Sequence, residues 1–176
     1  MNWLAKDCES ARHRQDFQAG FGRPLNGTGE SMYPEIMVIP MREELTRLGI
    51  EELRSASDVD RFVHEETGTT MVIVNSICGC AAGRMRPAVR LALQHATKPT
   101  KIATVFAGQD TEATARARSY FTGYPPSSPS VAILRDGKPV YMMHRHQIES
   151  REAAAIAADL KAAFDEHCAV PAAHQR

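Results

Sequence analysis

From Met32 onward the chain alternates between short apolar runs and stretches in which apolar residues return every three or four positions. Thr69 to Ile77, TTMVIVNSI, is β-branched and nearly all apolar, the pattern of a central strand covered on both faces. Lys101 to Phe106 reads as a second buried strand. Val131 to Leu134 and Val140 to His144 flank Asp136-Gly137, a hairpin turn dipeptide, and Ile50 to Leu53 predicts a short edge strand. Helices fill the gaps. Pro40 is expected in the first turn of one, with Met41, Leu45 and Leu48 on one face and Gly49 ending it. Ser57 with Asp60 predicts a capping box for the next, whose stripe is Val59, Phe62 and Val63 and whose stop is Gly68. After residue 80, Met85, Ala88, Val89, Ala92 and Leu93 share a face, leaving Arg86, Arg90 and Gln94 on the other. Asp110 is expected to cap a helix carrying Ala113, Ala117 and Phe121 inward, and a last helix starts at Ser150 with Ile156, Leu160 and Phe164 buried.

Beginning at Ile50, the order is β-α-β-α-β-α-β-β-α. Parallel strands joined by helices and closed by an antiparallel hairpin and a helix give an α/β fold, thioredoxin-like, with a central mixed sheet flanked by helices on both faces. Residues 1–31 carry no such pattern. FGRPLNGTG, Phe21 to Gly29, is rich in glycine, and the segment reads as a flexible N-terminal extension. The domain is expected over 32–170, with 171–176 as a tail.

Composition narrows the setting. Twenty-one lysines and arginines balance twenty-one aspartates and glutamates in 176 residues, so no global field draws the chain to nucleic acid or an anionic membrane. No apolar run is long enough to span a bilayer, and MNWLAKDCESARHRQDF lacks the apolar core of a secretory signal. The expectation is a cytoplasmic protein with neither nucleic-acid nor membrane partners. Four cysteines, Cys8, Cys78, Cys80 and Cys168, are too few for a disulfide-stapled scaffold of this length.

Cys78 and Cys80 fall where the central strand ends and its helix begins. Unpaired amides at a helix N-terminus favour a thiolate over a thiol, and the carboxyl end of a parallel sheet is where such folds expose a crevice. A second thiol one residue away can resolve a mixed disulfide within the molecule. A Cys-X-Cys loop is tighter than Cys-X-X-Cys. Its disulfide is therefore expected to be strained and oxidising, with Gly79 the residue best able to tolerate the geometry. Packing as small hydrophobes explains such a pair poorly. A zinc site would need two more ligands, and His144 and His146, alternating on a strand, are the candidates. No metal is expected. Arg84 and Arg86 read first as solvated helix-surface residues, and otherwise as positive potential for an anionic thiol. Ser128-Pro129-Ser130 stands at the start of a strand, where a cis proline would turn the backbone toward the cysteine loop.

Five segments, in order, resemble the bacilliredoxin family of thioredoxin-like Cys-Gly-Cys proteins, also described as disulfide isomerases. They are YPEIMVIPMREELT (Tyr33 to Thr46), NSICGCAAGRMRPA (Asn75 to Ala88), VFAGQD (Val105 to Asp110), PPSSPS (Pro125 to Ser130) and HRHQIE (His144 to Glu149). The resemblance implies Cys78 as the attacking cysteine and Cys80 as the resolving one. Gly79, Ser128, Pro129 and Ser130 would line the substrate. It implies thiol-modified cytosolic proteins as partners and no bound cofactor. Bacillithiol, a low-molecular-weight thiol, would be the co-substrate, and a reductase would recycle it. Two alternatives stand beside this reading: a general disulfide isomerase or reductase using the same cysteines, and a non-catalytic, metal-loaded binding module. The extension with Cys8 departs from the family pattern. Cys168 is either a further resolving thiol or a peripheral one.

Overall fold

A computed structural model describes residues 32–64 and 68–169. The extension at 1–31, with Cys8, and the tail at 171–176 lie outside the described residues. Helix α1 (Glu35–Thr46) leads into the two-residue strand β1 (Glu51–Glu52), then α2 (Ala56–His64) and β2 (Thr69–Asn75). Gly79 and Cys80 are already helical; a π-helical turn over Ala81–Met85 follows and continues as α3 (Arg86–Ala92). The rest is β3 (Lys101–Phe106), α4 (Thr111–Tyr120), the hairpin β4 (Ser130–Arg135) and β5 (Lys138–Met143), a 3-10 turn at Arg145–Gln147, and α5 (Ala153–Cys168).

The sheet runs β1-β3-β2-β4-β5, with β1, β3 and β2 parallel and β4 and β5 antiparallel to their neighbours. This is the thioredoxin arrangement. Every residue of β2 is buried, and its pleat divides the core. Met71 and Ile73 pack with Met85, Ala88, Val89, Ile156, Leu160 and Phe164 under α3 and α5. Val72 and Val74 pack with Val59, Phe62, Ala113 and Ala117 under α2 and α4. Asp136 (φ 50°) and Gly137 (φ 75°) both take the left-handed conformation that a two-residue hairpin demands.

Several boundaries differ from the pattern-based expectation. Helix α1 begins five residues before Pro40, with Pro34 at its N-cap and Pro40 inside it. The amide that Pro40 lacks would have bonded the carbonyl of Ile36, a residue on the exposed side of the helix at 77% exposure, and the helix continues through the proline. The capping box of α2 sits two residues earlier than Ser57 and Asp60: the Asp58 amide donates to Ser55 Oγ (3.1 Å) and the Ser55 amide to Asp58 Oδ2 (3.0 Å). Asp110 stands at the N-cap of α4 but makes no side-chain cap; its carboxylate instead takes the buried Arg42, at 2.7 and 3.0 Å. Helix α5 starts three residues after Ser150, because Ile148, fully buried, anchors the chain first. Among the described residues no helix is long and apolar enough to cross a membrane.

Candidate active site

Three chain segments meet at one end of the sheet. Strand β2 delivers Asn75, Ser76, Ile77 and Cys78. The start of β4 lies beside it, Ser130 pairing with Val74, and the end of β5 lies beyond, Met143 pairing with Val131. At the usual strand spacing, the Pro129 loop is about 5 Å to the side of β2, and His144 about 10 Å.

Cys78 is the first residue of the helix start. Its carbonyl accepts from the amides of Ala81 (3.0 Å) and Ala82 (3.1 Å), which places Cys78 at the N-terminus of the helix, where the first-turn amides carry partial positive charge. Cys78 and Cys80 are joined in a disulfide with their Cα atoms 5.4 Å apart. Both are half-buried, and Gly79 between them is exposed. Gly79 does not take the left-handed conformation, and a Cβ there would meet nothing within 4 Å. What the glycine leaves is an exposed position between the two cysteines, with no side chain from elsewhere in the described chain over it. The π turn follows Cys80 directly; such turns are frequent at functional sites.

The Ser128–Pro129 bond is cis, as the strand-start proline predicted. Ser127 pins this loop three ways. Its carbonyl accepts from Ser130 Oγ (3.0 Å) and from Arg118 Nη2 (3.4 Å), and its hydroxyl accepts from the Arg145 amide (2.8 Å). Burial lowers the pKa of the Arg118 guanidinium. A cleft of about 400 Å³ opens beside the loop, between Pro125–Ser128 on one side and His144, Arg145, His146 and Glu149 on the other. The two histidines do not alternate on a strand, since β5 ends at Met143. They stack across the 3-10 turn with centroids 5.6 Å apart, and His144 also meets the ring of Tyr124 at 5.7 Å. Among the described residues no three His, Cys, Asp or Glu side chains converge as a metal-binding group.

Arg86 contradicts its assignment to the solvated face: it is 3% exposed. Its Nε donates to Glu44 Oε2 (2.9 Å), and its Nη1 to Asn75 Oδ1 (3.1 Å) and the Ser76 carbonyl (3.2 Å). The reason is tertiary, since α1 covers the flank of α3 and supplies Glu44. Arg84 reaches the Arg151 carbonyl instead, at 2.6 Å. Ser76, which pattern reading passed over, places its hydroxyl 3.2 Å from Cys78 Sγ. The sequence signal was slight: a small hydroxyl residue two positions before a cysteine. Cys168 lies at the opposite end of the sheet, beside Thr69. The seven residues of β2 separate it from Cys78 by roughly 20 Å, so it is peripheral and no resolving thiol.

The family described as "Disulphide isomerase" matches residues 33–168. A bacilliredoxin of Koribacter versatilis is 62% identical over 141 residues, which are 80% of this chain and 97% of that protein. One from Geobacillus kaustophilus is 54% identical over 127 residues, 72% of this chain and 87% of that protein. A solved thioredoxin of Fasciola hepatica overlays 67% of this chain and 99% of its own at 20% identity, TM-score 0.49; the fold assignment rests on the strand order and not on that overlay. With the cysteine pair at the head of a helix, the strand order around it and relatives matched over nearly their full length, the chain belongs to the bacilliredoxin family of thioredoxin-fold thiol–disulfide oxidoreductases.

Proposed function

We propose that this oxidoreductase reduces mixed disulfides between protein cysteines and bacillithiol. The Cys78 thiolate attacks the sulfur of the bacillithiol cap. A Cys78–cap disulfide forms, and the client cysteine leaves as a thiolate that takes a proton from water. The Cys80 thiolate then attacks Cys78 Sγ, expelling the cap as free thiol and closing the Cys78–Cys80 disulfide. Two electrons pass from the dithiol to the client, and an external thiol must return them.

The observation that carries this reading is the placement of the pair: Cys78 stands at a helix N-terminus, where first-turn amides favour a thiolate, and both cysteines are partly open to solvent on either side of the exposed Gly79. Main-chain groups of Ser128, Pro129 and Ser130 beside it suit an extended client segment. The adjoining cleft has room for the body of the cap. The cytoplasm is the proposed setting, since a reducing thiol pool there keeps the pair charged.

The test is incubation of the dithiol form with a bacillithiol-capped protein, following free cap by mass spectrometry. Cys80→Ala is expected to accumulate a cap on Cys78, and Cys78→Ala to abolish turnover. Full activity in both variants would overturn the roles. The family's description favours a second reading, general disulfide isomerisation. Faster recovery of a scrambled substrate than of a capped one would select it.

A further inference from the structure

A chain of buried polar contacts runs from α1 into the cysteine loop, and the proposed exchange reaction does not account for it. Arg86 is buried, and so are Asn75 and Ser76, at 1% and 8% exposure. The Asn75 carboxamide is held from three sides. Its Nδ2 donates to the Met41 carbonyl (3.2 Å), and its Oδ1 accepts from Arg86 Nη1 (3.1 Å) and from the Ser76 amide (2.9 Å). Arg86 also bonds the Ser76 carbonyl at 3.2 Å. Amide and carbonyl of Ser76 are both held, and its hydroxyl stands 3.2 Å from Cys78 Sγ. The sulfur in the disulfide has no proton, so the hydroxyl is the donor.

We infer that Ser76 is a catalytic residue of this enzyme, its hydroxyl donating to the Cys78 thiolate, and that Arg86 is a positioning residue that aims it. The inference rests on the reading of Cys78 as the attacking thiol. A hydrogen bond to a charged acceptor is stronger than one to a neutral acceptor, so this contact gains most when the sulfur is ionised. It acts from the side of the sulfur facing the protein, while the first-turn amides act from the helix. The two supports are additive in direction: each raises the thiolate fraction near neutral pH. Arg86 is a costly way to stabilise a fold, because its guanidinium is buried while its carboxylate partner Glu44 is half exposed, and a buried charge seldom outperforms apolar packing. A guanidinium that spans Glu44, Asn75 and Ser76 does what packing cannot, fixing the backbone on both sides of one hydroxyl.

The experiment uses the full chain with Cys80→Ser, so that Cys78 is the site's one thiol. Alkylation of Cys78 by iodoacetamide is followed by peptide mass spectrometry from pH 5 to 10. Adding Ser76→Ala is expected to move the midpoint of the rate profile up by about one pH unit, with roughly ten-fold slower alkylation at low pH. Ser76→Thr, which keeps the hydroxyl, is expected to hold the midpoint near the parent's. Arg86→Lys keeps the positive charge and loses the geometry; it is expected to move the midpoint in the same direction, and no further when combined with Ser76→Ala. A Ser76→Ala midpoint that matches the parent's overturns the proposal, as does a Ser76→Thr shift equal to that of Ser76→Ala. Capture of bacillithiol from a capped protein, measured on the Cys80→Ser parent, tests the functional reading separately, because the alkylation profile does not depend on it.

Discussion

Apart from its two cysteine neighbours and its own helix, a methyl group added at position 79 meets no atom within 4 Å, and the first turn of a helix accepts alanine readily. Gly79→Ala is therefore expected to leave thermal stability within about 0.5 kcal/mol of the parent. If a client segment crosses this point, the same variant slows cap release from a capped protein several-fold while leaving alkylation of Cys78 by a small reagent unchanged. A rate ratio that stays constant between the two substrates would place the client elsewhere. Residue type alone misassigned one position here. Gly79 was expected to tolerate a tight Cys-X-Cys loop, and it does so without a left-handed backbone. Arg86 suggested solvent and is buried because α1 lies over it and supplies Glu44.

A buried guanidinium on α1 ties that helix to β1 and to the start of α4. Arg42 is 4% exposed, bonds Asp110 through both Nη atoms and Glu52 at 2.6 Å, and stacks over Phe106. Removing it strands the Asp110 carboxylate, itself 9% exposed. Arg42→Met is expected to cost about 3–5 kcal/mol in urea denaturation, and the Arg42→Met/Asp110→Asn double variant to recover part of that loss. On β5, Tyr141 packs against the core under α5, where burial, reinforced by the charge of Asp159, pushes its phenol up to about 12. The folded chain then holds a proton that the unfolded chain releases near pH 10. Stability contributed here is complete below pH 10 and falls as pH rises from 10 to 12, by roughly 2 kcal/mol. Urea midpoints at pH 8, 10 and 11.5 check this: Tyr141→Phe is expected to lose less than the parent over that interval.

Among the described residues the cysteines are divided between the two ends of β2. Cys78 and Cys80 lie at the carboxyl end of β2, and Cys168 at its start, where burial pushes that thiol above the ordinary range. Cys168→Ala is expected to leave cap release unchanged, measured with the capped protein. In the parent, Cys168 is expected to alkylate far more slowly than Cys78 at pH 7. A loss of turnover in Cys168→Ala would mean that the chain rearranges across some 20 Å during the cycle. The same end-to-end division puts the Pro129 loop and the histidine cleft next to the reactive pair, because β4 starts and β5 ends where β2 ends.

The strands and their order were legible in the residues because burial on both faces leaves an uninterrupted apolar run, and a hairpin turn needs Asp136-Gly137 or its like. The cysteine pair was legible for a similar reason, since the junction of a buried strand with an amphipathic helix is a local pattern. Helix starts were less so. The boxes at Ser55 and Ser57 look alike in one dimension, and Pro40 reads as a first-turn residue although the helix runs through it. What the tertiary structure alone decided is which polar side chains turn inward: Arg42 to Asp110, Arg86 to Asn75 and Ser76, Ser76 to Cys78. Each depends on an element distant in sequence arriving to complete a hydrogen bond, and a buried charge is tolerable only once that partner is in place.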